Sequence, residues 1–289
     1  MSNANESRKL RPFGGFIAAQ RTVEGGGFVV RRPFPTSAVD HIDPFLLLDE
    51  MGPVVYGPGE AVGAPEHPHR GFETVTYLLH GAMEHRDSSG GVGVITPGGV
   101  QWMTAGSGVV HSELPPEAML LAGGKMHGFQ LWVNLPASKK MVAPRYQGYD
   151  AEEIESKVLN FGGVLKVVAG EVDGVHGKVH TTTPVTYAHV ELREGDSLTW
   201  SPEASHTALV HVFDGEVIVN NEIGVDGHMM VFERTEGVIE IRCESTASVL
   251  LLGGEPLNEP VARHGPFVMN THAEIKQAFE DYQAGKLVQ

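Results

Sequence analysis

Thr74-Val75-Thr76-Tyr77-Leu78-Leu79, closed by His80-Gly81, is the stretch that decides the fold. Its β-branched and aromatic residues favour a pleated backbone, and the Gly behind them marks a turn. The same signature recurs on either side. Gly91 to Thr96 reads as another short strand. Phe129, Leu131 and Val133 alternate with Gln130, Trp132 and Asn134, a period of two with one apolar face. The 36 Gly and 18 Pro are spread along the chain, as short strands joined by tight turns require. Many such strands describe an antiparallel barrel or jelly roll.

Helix signals are confined to two places. Asp150 to Val158 has Asp150 as an N-cap and Glu153 in the first turn, which predicts a short helix. From Thr271, with Glu274 three residues on, a capping box opens a second helix with Ile275, Ala278, Phe279 and Tyr282 on one face and Gly285 as the stop. Pro136 to Tyr149, with two prolines, two lysines and no period, is the predicted linker. The halves on either side resemble each other: placing Gly81 over Gly215 sets Glu73–Gly81 against Thr207–Gly215, each a strand followed by a turn. The expectation is an all-β chain of two tandem barrels with a C-terminal helix. Residues 1–140 form the N-terminal, metal-binding domain, and 141–289 a C-terminal domain without metal that ends in the helix.

Composition bounds the function. Hydrophobic residues at 41% and charged residues at 20% are those of an ordinary globular chain and argue against disorder. The formal charge of −15 repels phosphates and anionic lipid, which excludes direct nucleic-acid and membrane partners. The N-terminus is polar and lacks the apolar core of a signal peptide. The single Cys243 allows no intrachain disulfide and fits a reducing compartment, so a cytoplasmic location is expected.

His67-Pro68-His69 is the one His-x-His of the sequence, and His111-Ser112-Glu113 is a second pair with the same spacing. Neither is rare: with 15 His in 289 residues, chance supplies roughly one His-x-His. Geometry gives the pairs their weight. On a strand, residues i and i+2 share a face, so two such pairs on neighbouring strands aim three imidazoles and one carboxylate at one point inside a barrel. That donor set suits Fe, Mn, Ni, Cu or Zn rather than Ca or Mg. His272 and Glu274 share the spacing but fall in the predicted helix, where i and i+2 diverge. His189 and Glu191 sit on a strand with no His-x-His to complement them, since Ser201 and Glu203 stand where the alignment places His67 and His69. His80, His85, His127, His206 and His211 are taken as turn or surface residues, and Trp102 and Trp132 as core or pocket wall. The dinucleotide-binding, Walker, zincin and serine-hydrolase motifs are absent from the sequence.

The stretch His67-Pro-His-Arg-Gly-Phe-Glu-Thr-Val-Thr-Tyr77 resembles the first motif of the pirins, a branch of the cupin superfamily, and Gln101-Trp-Met-Thr-Ala-Gly-Ser-Gly-Val-Val-His-Ser-Glu113 resembles their second. Gly128 to Pro136 and Gly265 to Thr271 are similar to two further pirin signatures, in the same order. The resemblance implies two cupin barrels, the first holding one Fe(II) through His67, His69, His111 and Glu113, with Mn, Ni, Cu or Zn as substitutes. Gly91, Pro97 and Gly99 follow the general cupin run, but Trp102 stands where an ordinary cupin has its histidine, a shift that pirins share. Glu73 sits where many cupins have a ligand carboxylate; with Glu113 supplying the acid, Glu73 is expected to hydrogen-bond a ligand imidazole. The implied activity is quercetin 2,3-dioxygenase: O2 opens the heterocyclic ring of a flavonol, carbon monoxide leaves, and Glu113 acts as base for the 3-hydroxyl. The alternative implied by the same family is an iron-dependent regulator that binds a protein partner without turnover.

Overall fold

The computed structural model describes residues 8–24 and 27–288. The chain forms two compact units, one of Gln20–Ile154 with Leu257–Gln289, the other of Glu155–Pro256 with the segment that runs up to Ala19. Each is built of strands; two barrels with a C-terminal helix are what the sequence patterning predicts, and their cupin architecture is what the resemblance implies. The division does not follow a single cut at residue 140. The strand Phe13–Ala18 pairs with His228–Phe232, Ile17 opposite Met229, and Phe13 packs on the apolar core of the second unit. The C-terminal residues belong to the first unit: the hairpin Ala262–His264 and Phe267–Met269 leads into the helix His272–Gln283, which buries Ile275 and Ala278 against Phe267, Met269 and Val110.

That helix starts as its sequence requires. The Thr271 side chain accepts from the Glu274 N–H, and Glu274 reaches back to the Thr271 N–H at 2.8 Å. Asp150 to Val158 is different. Asp150 and Glu153 form the same reciprocal cap, but the turn they start is only the 3-10 helix Ala151–Glu153, and Glu155–Val158 then pairs antiparallel with Val164–Ala169. A ladder to an existing strand outweighs the propensity of one helical turn, whose nucleation is costly. Pro136 to Tyr149 is not a linker either. Ala137–Lys139 is a 3-10 turn, and Arg145–Tyr149 joins the first barrel as a partner of Val100–Thr104.

In the first unit a seven-stranded sheet runs Arg145–Tyr149, Val100–Thr104, Phe72–His80, Gly124–Asn134, Phe45–Tyr56, Phe28–Phe34 and Gln20–Glu24. A four-stranded sheet runs Ala64–His69, Val109–Leu114, Met83–Asp87 and Val92–Ile95. Thr76 of the larger sheet reaches Glu113 of the smaller, and Gln101 reaches His85, so the two sheets face each other across the barrel interior. The second unit is filled instead by apolar side chains, among them Trp200, Leu165, Val190, Met230 and Leu251. Ser201 and Glu203 are exposed in the connection between Ser197–Trp200 and Thr207–Val219. Among the described residues, no helix is long and apolar enough to cross a membrane.

Lys140 ties the first unit together. Its buried Nζ donates to the Gly71 carbonyl at 2.8 Å, to Asn134 Oδ1 at 2.7 Å and to the Val268 carbonyl at 3.1 Å. Burial pushes its ammonium down from 10.5 to about 8. Lys140→Met should therefore destabilise the fold by about 1–3 kcal/mol for each buried carbonyl that loses its donor, read by chemical denaturation. Between the two pKa values the unfolded chain holds a proton that the folded chain has shed, so the contribution of Lys140 grows as pH rises. The gap in stability between wild type and Lys140→Met should widen from about pH 8 to about pH 10.

Candidate metal centre

The strand Val109–Leu114 lies between Ala64–His69 and Met83–Asp87 and pairs antiparallel with both. His111 is directly opposite His67 on one side and opposite Asp87 on the other, while Val109 faces His69 and Glu113 faces His85. The i, i+2 pairs thus share an inner face, as their spacing predicts. Ring centroids are 4.7 Å apart for His67 and His69, 4.3 Å for His67 and His111, and 4.9 Å for His69 and His111. Their nitrogens lie within 4.8 Å of one another, the spacing needed to share one ion. A bulge between His111 and Glu113 shifts the register beyond it. Glu113 lies with His111 and His85, their donor atoms within 4.8 Å of one another. Thr76 Oγ1 lies 2.7 Å from both Glu113 Oε1 and Gln130 Oε1.

The imidazoles are prepared as donors. His67 Nδ1 lies 2.7 Å from the Pro65 carbonyl, and His69 Nδ1 lies 3.2 Å from that of Pro266. A carbonyl only accepts, so each Nδ1 carries a hydrogen, and Nε2 is the nitrogen left to face the interior. His111 Nε2 is buried without a hydrogen-bond partner. Burial, and after it the neighbouring His67, pushes His69 down to about 3, with the Pro266 carbonyl pulling the other way. His111 is pushed well below its ordinary value by burial and then by His69, His67 and His85. A His69 and His111 disfavoured as imidazolium, the latter with an unpartnered Nε2, suit a first-row divalent ion.

Two sequence expectations change. Glu73 is buried and accepts from Thr104 Oγ1 at 2.8 Å. Alternation along Phe72–His80 puts it on the face opposite Thr76, the residue that meets Glu113. His85 is no surface residue: it is fully buried, with Nε2 2.8 Å from Asp87 Oδ2 and Nδ1 2.8 Å from Gln101 Nε2. His127 and His211 are buried too, His127 against Glu50 at 2.9 Å, whereas His80 is exposed and His206 half-buried. The sequence held a signal for His85: His85-Arg86-Asp87 repeats the i, i+2 spacing of the ligand pairs on a strand.

A cavity of about 590 Å³ opens over this cluster. His67, His69 and Glu113 line it together with the apolar Phe28, Val30, Met51 and Trp132. Asp49 and Gln130, cross-strand neighbours, add polar groups to its wall. Arg32 grips Asp49 through two bonds of 2.6 and 2.5 Å, yet burial dominates and pushes the Asp49 carboxyl up to about 6.

Two cupin barrels, one with a His/Glu cluster able to take a metal, define a bicupin. Residues 27–133 match the Pirin family and residues 187–288 the Pirin C-terminal cupin domain, and the chain belongs to the pirin family. The Pseudomonas aeruginosa protein named "Putative quercetin 2,3-dioxygenase PA2418" is 41% identical over 273 residues, covering 93% of this chain and 96% of that protein. Pirin of Mus musculus is 40% identical over 276 residues, covering 93% of this chain and 91% of its own. The crystal structure of Quercetin 2,3-dioxygenase from Acinetobacter baumannii superposes with a TM-score of 0.90 at 38% identity, covering 96% of this chain and 98% of that one.

His69→Ala and His111→Ala should each remove most of the bound metal while leaving the barrels folded, because the core does not depend on the ion as a zinc finger does. His272→Ala, on the exposed first turn of the C-terminal helix, should leave metal content unchanged. Elemental analysis of the purified variants checks both, and wild type should carry one metal per chain.

Proposed function

We propose that this chain is an iron-dependent dioxygenase of the pirin type, which opens the heterocyclic ring of a flavonol such as quercetin with O2 and releases carbon monoxide. One Fe(II) would be held by His67, His69, His111 and Glu113. The observation that carries this reading is the cluster of His67, His69 and His111, with Glu113 beside His111, at a largely apolar cavity that His67, His69 and Glu113 line. Relatives named for quercetin 2,3-dioxygenase, at 41% and 38% identity, support it. Bound there, the metal would supply a redox-active Lewis acid with a coordination position left open for substrate.

The protein groups do the rest. Phe28, Val30, Met51 and Trp132 offer faces to a flat aromatic ring. Asp49 and Gln130 present polar atoms to its phenolic hydroxyls, while Glu24, Asp49 and Glu66 along the lining disfavour substrates that carry a carboxylate. Thr76 holds Glu113 at Oε1, and the carboxylate takes the proton of the flavonol 3-hydroxyl.

The assay is loss of flavonol absorbance with matching O2 uptake and carbon monoxide release by the iron-loaded chain. Glu113→Gln keeps the shape and a weak donor oxygen but not the basicity, so activity should fall further than iron content does. Activity that follows iron content alone across Glu113 variants would remove the base role. An iron-replete sample that binds flavonols and consumes no O2 would favour the regulator over the enzyme.

A further inference from the structure

The protons on His67 and His69 are set by carbonyls, but His111 has no such guide. Its Nδ1 faces another histidine, His85, at 3.4 Å. Two imidazole nitrogens in contact settle nothing about which carries the proton unless one ring is fixed from its far side.

Here the far side is fixed. Asp87 Oδ1 accepts from the Ser89 N–H at 2.8 Å, the Ser89 hydroxyl at 2.6 Å and the Gly91 N–H at 3.0 Å, which anchors the carboxylate as an acceptor. Its Oδ2 lies 2.8 Å from His85 Nε2, so that nitrogen carries the hydrogen. With its hydrogen on Nε2, His85 offers Nδ1 as the acceptor, where it meets the Gln101 amide at 2.8 Å and His111 Nδ1 at 3.4 Å. His111 is left to donate from Nδ1 and to keep its lone pair on Nε2, the atom found buried and without a partner.

We propose that Asp87 and His85 are positioning residues that hold His111 as its Nδ1–H tautomer and so aim its Nε2 lone pair at the metal. The inference rests on the metal-centre reading above. The spacing of His85, His111 and Glu113 also admits His85 as a ligand. Its hydrogen bonds argue against that: Asp87 holds its Nε2, and its Nδ1 is shared by the Gln101 amide at 2.8 Å and His111 at 3.4 Å. A carboxylate behind a ligating histidine is a recurrent device; in this chain a second histidine is interposed.

The tautomer is read directly from imidazole 15N–1H spectra of the full chain, metal-free after chelation and loaded with diamagnetic Zn2+. Wild type should show His111 protonated on Nδ1 in both. His85→Leu should scramble this signal and weaken metal binding by about 10–100-fold in chelator competition. Asp87→Asn should do the same, and His85→Asn, which keeps an acceptor near the Nδ1 position, should restore most of the affinity. A merely structural role would lower the unfolding temperature of His85→Leu and leave the His111 tautomer and the metal affinity unchanged, and that result would overturn the proposal. So would wild-type His111 protonated on Nε2, or a metal bond to a His85 nitrogen. A wild-type chain that takes up no transition metal would overturn the metal-centre reading itself, whereas the wrong tautomer in the metal-free chain would overturn this inference alone.

Discussion

The antiparallel register between Ala64–His69 and Val109–Leu114 is the constraint on which the site depends. It sets His111 opposite His67 and Val109 opposite His69, and it turns all three imidazoles to one face. A slip of Ala64–His69 by one residue would send His67 and His69 to the outside of the sheet, since side chains alternate along a strand. The third strand, Met83–Asp87, locks the register from the other side by bringing Asp87 to His111 and His85 to Glu113. Position and proton state of the donors therefore come from one three-stranded arrangement.

The two sheets of the first barrel divide the work. The four-stranded sheet carries the nitrogen and oxygen donors, and the seven-stranded sheet supplies the cavity wall and the polar groups that steady the donors. Thr76 and Gln101 lie side by side on adjacent strands and reach across to Glu113 and His85 respectively. Gln130 and Asp49 continue the same row along the wall. A polar row on an apolar face is costly to bury unless it is hydrogen-bonded, and Thr76 and Asp49 are held in this way by Glu113, Gln130 and Arg32. The second barrel keeps the strand framework and fills the equivalent space with side chains such as Trp200 and Met230.

Local pattern made much of this legible. The strand period around Thr74–Leu79, the capping box at Thr271 and Glu274, and the two i, i+2 pairs each act over a few residues, and each is read without knowing the partners. What escaped depends on partners far away in sequence. Asp150 and Glu153 write a helix start, yet Glu155–Val158 finds a strand to pair with. Lys140 reads as a solvent-exposed linker lysine until the carbonyls of Gly71 and Val268 enclose it. Glu73 carries the right chemistry on the wrong face. His85 was within reach: its spacing to Asp87 matches the ligand pairs, but only burial distinguishes such a pair from a surface one.

The placement of the C-terminal segment in the first unit has a bearing on the order of biosynthesis. The strands that carry His67, His69, His111 and Glu113 leave the ribosome early, whereas the Pro266 carbonyl that sets the proton on His69 lies 197 residues after it. All of the second barrel except its first strand, Phe13–Ala18, is translated in between. A growing chain thus displays three histidines long before one of them has the contact that fixes its donor nitrogen. A metal taken up at the proposed site would meet its final geometry late, once Pro266 has been made, and a product terminated before that residue would be expected to hold it less well than the finished protein.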